Sequence, residues 1–115
     1  MTKNDVRYKN ELQPCIILCT TNSQSNAIKI AQLLLDKHLA ACVSLLPELT
    51  SLYRWEDGIA QDKEIMLFIK STYKNQSKLF ATIKEIHPYE TPELICLDLD
   101  QVDGSYLEWL IKSVK

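Results

Sequence analysis

The chain has 115 residues, of which 46% are hydrophobic and 24% are charged, and this is the composition of one ordinary folded domain. Thirteen basic against fifteen acidic residues give a formal net charge of −2, and the lysines are spread along the chain. This charge argues against the dense positive surface that nucleic-acid binding requires. No apolar segment is long enough to cross a membrane or to act as a secretion signal, so we expect a cytoplasmic protein without membrane insertion.

The first thirteen residues are almost entirely polar, in contrast to the apolar run that follows them. We expect a disordered tail over residues 1–13 and a single domain over residues 14–115. The domain begins with residues 14–20 (PCIILCT), which lie between a proline and a polar stretch. A continuous apolar run of this length predicts a central, buried strand.

A first helix is predicted after this strand. Asn22 or Ser23 supplies the N-cap, because a side-chain oxygen at that position accepts a hydrogen bond from the first helical turn. Apolar residues then recur at helical spacing, which places the end of the helix at about Lys37 or His38. We expect His38 to cap this helix or to lie partly buried, and not to bind a ligand.

The next segment predicts an unusually long β-hairpin. Residues 39–55 form the second strand, in which Pro47 marks a bulge or bend. The Asp57-Gly58 pair is a tight-turn signal, and residues 64–71 return as the third strand. Because about 17 residues at about 3.3 Å each exceed the usual strand length, part of the hairpin must project beyond the domain.

A projecting hairpin exposes apolar side chains together with an unpaired strand edge, which monomers normally avoid. The apolar residues that we assign to its tip are Leu52, Tyr53, Trp55, Met66 and Phe68. Symmetric association of identical chains would cover both features. The sequence therefore predicts a homo-oligomer.

The C-terminal half of the chain continues with a helix, a strand and a last helix. Residues 74–86 have helical periodicity that Pro88 ends, residues 93–100 predict a strand, and Asp103 caps the final helix. The element order is then β-α-β-β-α-β-α. It predicts an α+β fold, a ferredoxin-like βαββαβ sandwich whose antiparallel sheet has helices on one face, with a long β2-β3 hairpin and an extra C-terminal helix.

Several chemistries that this fold supports lack their residues here. Cys15 and Cys19 have a C-x-x-x-C spacing within one strand, which fits neither an iron–sulfur centre nor a C-x-x-C metal loop, and free thiols are expected. The loop after this strand has no basic residue to hold a phosphate, and the strand has no aromatic residue to stack on RNA. With two histidines and no nucleophile-elbow motif, the chain is not expected to be an enzyme.

The segment 87–93 (HPYETPE) is the strongest candidate for function. Two prolines fix the backbone around an imidazole, a phenol and two carboxylates immediately before a strand. The alternative is a stiff helix-to-strand connection in which His87 caps the helix C-terminus.

A ligand cleft would combine this segment with the hairpin and the last helix. Its candidate residues are Tyr53, Trp55, Lys70, His87, Tyr89, Glu93 and Trp109. The two tryptophans have an alternative role as packing residues of the oligomer.

Four motifs together resemble the CutA divalent-cation tolerance family: LAACV at 39–43, SLYRWEDG at 51–58, HPYETPEL at 87–94 and YLEWL at 106–110. They stand in the order found in that family, and the resemblance extends from Cys15 to the C-terminus. It implies a ferredoxin-like subunit in a tight, PII-like homotrimer, with the candidate cleft between subunits. It also implies a role in metal tolerance or signalling, with no enzymatic activity.

The resemblance further implies positions for a metal site. The ligands proposed for a bacterial member are a cysteine near the end of the first strand and two adjacent histidines at the start of the HPY motif. Cys19 and His87 match two of these positions, whereas Ile86 replaces the first histidine. A thiolate and an imidazole suit Cu(I), while Cu(II) or Zn(II) requires further ligands, so we expect weak binding of copper or another divalent cation. The alternative function is a scaffold trimer without a ligand, followed by an unrecognised hydrolase.

Overall fold

A four-stranded antiparallel sheet organises the domain. The computed structural model describes residues 11–115, with the element order β1 (Pro14–Thr21), α1 (Gln24–Asp36), β2 (Cys42–Trp55), β3 (Gly58–Thr72), α2 (Tyr73–Ile86), β4 (Ile95–Asp98) and α3 (Gly104–Ser113). The strand order is β2-β3-β1-β4, and every neighbouring pair is antiparallel. The predicted α+β, ferredoxin-like fold with a long β2-β3 hairpin and an extra C-terminal helix is confirmed.

The first residues that the structure describes are bonded to the domain. Residues 1–10 of the predicted tail lie outside the described part of the chain. The carbonyls of Glu11 and Gln13 accept hydrogen bonds of 3.0 and 3.1 Å from the N–H groups of the first two residues of α2. The side-chain amide of Gln13 donates to the carbonyl of Leu99 at 3.1 Å. Residues 11–13 are thus hydrogen-bonded to the domain, and the boundary at residue 14 stays a prediction.

Helix α1 begins and ends at residues whose local chemistry favours it. Of the two predicted N-cap candidates, Ser23 is the cap, and its hydroxyl accepts a hydrogen bond from the N–H of Asn26 at 3.1 Å. The helix ends at Asp36, and His38 then takes the left-handed conformation with a φ of 58°. The N–H groups of His38 and the next residue donate to carbonyls of the last turn, while the imidazole is exposed. His38 therefore caps the helix through its backbone.

The core lies between the sheet and the helices α1 and α2. Every second residue of β1 and β3 points toward these helices, because side chains alternate between the two faces of a strand. The fully buried residues of the core include Cys15, Ile17, Cys19, Leu34, Leu67, Ile69, Leu79 and Ile83. Each large apolar side chain buried in this way stabilises the fold by about 1.5–3 kcal/mol.

Helix α3 covers part of the opposite face of the sheet. Cys42 and Lys70 are paired across β2 and β3, and they point away from the core because the adjacent Ile69 points into it. The side chain of Tyr106 in α3 lies close to that of Cys42. Leu110 of α3 is fully buried but does not belong to the core beneath α1 and α2. The prediction of helices on one face therefore applies to α1 and α2 alone.

The β2-β3 hairpin extends past the rest of the sheet, as predicted. β1 pairs with β3 only from Ile65 to Thr72, so residues 58–64 of β3 pair with β2 alone. This stretch corresponds to about 23 Å of strand. The Cα radius of gyration is 15.4 Å, compared with about 13 Å for a compact domain of this length. Residues 49–64 are called the hairpin arm below.

Two irregularities shape the hairpin. The register of β2 against β3 shifts after Leu46, which confirms the bulge predicted at Pro47, and Glu48 has a φ of 44°. The turn at the tip lies one residue earlier than the Asp57-Gly58 signal predicts. Gly58 is already the first residue of β3 and has no positive φ, whereas Glu56 has a φ of 54°.

The apolar surface of the hairpin is concentrated on the arm. Leu52, Trp55 and Ile59 are 64%, 63% and 76% exposed. Met66 and Phe68 do not lie at the tip, and in this respect the prediction is wrong. They lie in the body of the sheet and are half-buried, because β1 pairs with that part of β3.

Candidate functional site

A groove of about 730 Å³ lies between the hairpin arm and the segment after α2. Its aromatic lining consists of Tyr53, Trp55 and Tyr89. Its acidic lining consists of Asp62, Glu64, Glu90 and Glu93, and Arg54 is the one basic residue in the lining. The groove therefore combines apolar walls with a few polar groups, which is typical of a small-ligand site.

Two tyrosines hold two of the groove carboxylates. The hydroxyl of Tyr89 donates to Oε2 of Glu64 at 2.6 Å, and Glu64 is only 7% exposed. This bond ties the HPYETPE segment to β3. The hydroxyl of Tyr53 donates to Oδ2 of Asp62 across the two strands of the arm. Both hydrogen bonds are charge-assisted and stronger than neutral ones, so they fix the walls of the groove.

The groove has a negative electrostatic potential. Burial, and then the charge of Glu64, raise the pKa of Glu93, and no neighbouring cation within the described chain lowers it. Burial also raises the pKa of Tyr89, with the hydrogen bond to Glu64 and the charges of Glu64 and Asp62 acting in the same direction. The carboxylates carry like charges and repel one another, and the repulsion is strong here because water, which would screen it, is partly excluded.

His87 connects the loop to the sheet. Its Nδ1 accepts a hydrogen bond from the N–H of Tyr89 at 3.0 Å, and its Nε2 lies 2.8 Å from the carbonyl oxygen of Thr20. Since Nδ1 is the acceptor, the proton of the neutral ring is on Nε2, which donates to Thr20. The N–H of His87 also caps α2 through the carbonyl of Ile83 at 2.8 Å. His87 is thus the helix C-cap, but its imidazole binds β1 and not the helix end.

The two predicted metal ligands, Cys19 and His87, lie against the same carbonyl. Sγ of Cys19 is 3.8 Å from the carbonyl oxygen of Thr20, which His87 also contacts. Cys19 is fully buried, and burial followed by the charges of Glu93 and Glu64 raises its pKa to about 12. The thiol is therefore protonated at neutral pH, and both nitrogens of His87 are in use.

This pair does not fit a resident metal ion. Within residues 11–115, no group of three or more His, Cys, Asp or Glu side chains is placed to hold a metal. An ion bound by Cys19 and His87 would have to displace the thiol proton and break a hydrogen bond of the imidazole.

The structure separates the predicted cleft residues into two groups. Four of them line the groove: Tyr53, Trp55, Tyr89 and Glu93. His87 does not line it but packs against Tyr89, with the two ring centroids 4.8 Å apart. The other two residues lie elsewhere on the chain, because they belong to the opposite end of β3 and to α3.

Lys70 and Trp109 form this second group. Nζ of Lys70 donates to the hydroxyl of Ser44 at 2.6 Å and lies 3.7 Å from Sγ of Cys42. Trp109 stacks against Tyr106 with ring centroids 5.4 Å apart, and it is 46% exposed. Within one chain, neither residue reaches the groove.

Sequence reasoning missed most of the acidic lining of the groove. Asp62 precedes the predicted third strand and has no assigned role, Glu64 is only a position of that strand, and Glu90 belongs to the HPYETPE segment without a separate role. One signal was available, because Glu64 lies at strand spacing from the apolar residues Met66 and Phe68 on the same face. A carboxylate at such a position requires a partner, and here that partner is Tyr89.

Comparison with known proteins identifies the relatives of this chain. The family model described as "CutA1 divalent ion tolerance protein" matches residues 15–113. The chain belongs to the CutA1 family. The resemblance that the four motifs indicated is therefore confirmed.

Individual CutA relatives match over almost their whole length. The divalent-cation tolerance protein CutA of Yersinia pestis (strain Pestoides F) is 42% identical over 111 residues, which cover 96% of this chain and 91% of that protein. The solved structure of the divalent cation tolerance protein of Thermus thermophilus is 36% identical, with a TM-score of 0.87 and coverage of 89% of this chain and 99% of that one. The structure described as the periplasmic divalent cation tolerance protein CutA of Archaeoglobus fulgidus is 27% identical, with a TM-score of 0.87 and coverage of 89% and 99%.

Proposed function

We propose that this CutA1 family member is a homotrimeric protein of divalent-cation tolerance or signalling, which binds a small ligand or ion near its subunit interfaces and is not an enzyme. The observation that carries the proposal is the groove beside the hairpin arm, where aromatic rings and carboxylates are held in place by Tyr89 and His87. The names of the relatives support the general role in cation tolerance.

We propose that the protein is not an enzyme because neither His87 nor Cys19, the two side chains best suited to catalysis, is available for it. His87 uses both ring nitrogens in internal hydrogen bonds, so it has no free nitrogen to act as a general base. Cys19 is fully buried, and its pKa of about 12 keeps it as a thiol, which is a poor nucleophile. These features favour a binding protein.

A homotrimer is proposed because the arm needs a partner. Its exposed Leu52, Trp55 and Ile59 form an apolar surface, and residues 58–64 leave one edge of β3 unpaired. Closed symmetric assembly satisfies both the edge and the apolar surface without forming fibres. The groove lies next to the arm, so in a trimer it would lie close to a neighbouring subunit.

Light scattering tests the assembly. We expect a particle of about 40 kDa, three times the mass of the 13.2 kDa chain. Ile59→Glu should dissociate the particle at low micromolar concentration, because it places a charge on the exposed arm. Ile28→Glu, on the outer side of α1 and 44% exposed, is the control and should leave the mass unchanged. A monomeric parent protein would contradict the proposal.

Copper binding is proposed to be weak and to depend on Cys19. Reduced protein should compete poorly with a Cu(I) chelator, and Cys19→Ser should remove most of the binding, since the thiolate is the soft ligand. The affinity should rise with pH, because Cys19 has a pKa of about 12 and must lose its proton to bind. Cys96→Ser serves as the control and should bind copper like the parent. Equal binding by Cys19→Ser would place the copper elsewhere.

The second candidate function is a scaffold trimer without a ligand. It is favoured by the internal bonds of Glu64 and His87, which would hold the loop in place even if nothing bound in the groove. Calorimetric titration with metal salts and metabolites distinguishes the two functions. Saturable binding that depends on groove residues supports the first, and its absence across these compounds supports the scaffold.

We place the protein in the cytoplasm, where thiols remain reduced. None of the four cysteines, which all lie in the described residues, forms a disulfide bond, and two of them are fully buried in the core. None of the helices in the described part of the chain has the length and apolar character needed to span a membrane.

A further inference from the structure

We propose that the groove binds an elongated organic cation, an aliphatic diamine or polyamine, whose amino groups meet the carboxylates while its methylene chain lies on the aromatic rings. This inference rests on the proposed ligand-binding function of the groove and specifies the chemical class of the ligand.

The charge of the groove favours a cation. Four carboxylates and one guanidinium line it, which leaves a negative excess of three charges if all are ionised. Glu64 is nine-tenths buried, and Glu93 lies half-buried close enough to feel its charge. A bound ammonium group would relieve the repulsion between these carboxylates, and it would do so in a partly desolvated place where charge interactions are strong. An anionic ligand would have only one oppositely charged side chain in the lining, that of Arg54.

The walls of the groove favour an organic cation. Tyr53 and Trp55 form an edge-to-face pair with ring centroids 6.3 Å apart and an interplanar angle of 76°. Tyr89 completes the aromatic lining on the loop side. Aromatic faces attract ammonium groups, and the rings of Tyr53 and Tyr89 offer apolar surface to a methylene chain.

The arrangement of the carboxylates argues against a bare metal ion as the occupant. Magnesium and calcium bind several oxygens that converge at about 2.0–2.6 Å, as a general rule. Within residues 11–115 no three acidic, histidine or cysteine side chains converge in this way. Tyrosine hydroxyls already occupy an oxygen of Asp62 and one of Glu64. Charges distributed along a groove of about 730 Å³ match a ligand whose own charges are separated by methylene groups.

The test is a titration with spermidine, using the assembled protein in a Trp109→Phe background so that Trp55 is the remaining fluorophore. We expect a saturable change in Trp55 emission, and calorimetry should give the same affinity. Glu93→Gln should weaken binding about tenfold, because it removes a half-buried, charge-assisted contact. Glu85→Gln, an exposed substitution on α2, carries the same charge change and should bind like the parent.

The controls separate failure of this inference from failure of the proposed function. Magnesium chloride at equal total charge should not displace spermidine, and if it does, binding is a general charge effect and the inference is overturned. The inference is also overturned if Glu93→Gln and the parent bind spermidine equally. If adenosine monophosphate binds saturably and spermidine does not, the groove remains a ligand site and only the cationic class is wrong. If neither binds, this inference is overturned, while the metal and metabolite titration decides the proposed function separately.

Discussion

Leu67→Ala is expected to lower the free energy of unfolding by about 2–5 kcal/mol, the usual range when a buried leucine is truncated. Leu67 is fully buried in β3, between Cys19 of β1 and Leu45 of β2. The strands on both sides and the helices above it cannot collapse into the space that the side chain leaves, so a cavity remains. Urea denaturation at a fixed protein concentration measures the loss, since the stability of an oligomer depends on concentration.

Leu35→Ala is the matched control for this substitution. Leu35 lies on α1 and is 40% exposed, so the same truncation should cost less than about 1 kcal/mol. If the two variants lost equal stability, Leu67 would not lie at the centre of the core.

His87→Ala is expected to lower the free energy of unfolding by about 2–4 kcal/mol, because it removes two hydrogen bonds that a buried side chain makes. The partners of the imidazole are the carbonyl of Thr20 and the N–H of Tyr89, and His87 itself is 9% exposed. The loss of the imidazole also removes packing against the ring of Tyr89. Thermal and urea unfolding both measure the effect.

His38→Ala is the matched histidine control. The imidazole of His38 is exposed, and its capping bonds come from the backbone, so the variant should stay within about 0.5 kcal/mol of the parent. A His87→Ala variant as stable as His38→Ala would show that the link between the loop and β1 contributes nothing. A destabilised His87→Ala that still assembles should also bind groove ligands more weakly, because one of the two hydrogen bonds that position Tyr89 is lost.

Local signals predicted the elements well because the chemistry that forms them is local. Ser23 and Asp103 cap their helices through side-chain oxygens that accept from N–H groups three residues later. Pro47 lies at the bulge, since proline cannot donate to a strand partner. The end of α2 before Pro88 follows from the restricted backbone of the preceding residue.

The errors arose where residues distant in sequence meet. β4 covers four residues instead of the predicted eight, because it pairs only with the first half of β1. The sequence places Met66 and Phe68 at the tip because the alternation in β3 does not show where β1 stops pairing. The positive φ falls on Glu56 and not on Gly58, because the register of the two strands decides which residues form the turn.

The sequence predicts only part of the candidate site, because the rest depends on contacts between residues that are distant in sequence. His87, Tyr89 and Glu93 lie in one short segment, and Tyr53 and Trp55 lie in another, so their residue types attract attention in the sequence. The bond of Tyr89 to Glu64 joins residues 25 positions apart, and that of His87 to Thr20 joins residues 67 positions apart. No local pattern indicates these pairs.

The family, the element order and the fold class follow from the amino-acid sequence, because periodicity, caps and short motifs are properties of neighbouring residues. The folded chain was needed to show that α3 lies on the second face of the sheet, that His87 is a buried link and not a free ligand, and that four carboxylates and three aromatic rings line one groove. The physical reason is that side-chain alternation assigns a residue to a face of its strand, whereas the strand register and loop closure decide which distant residues meet it there.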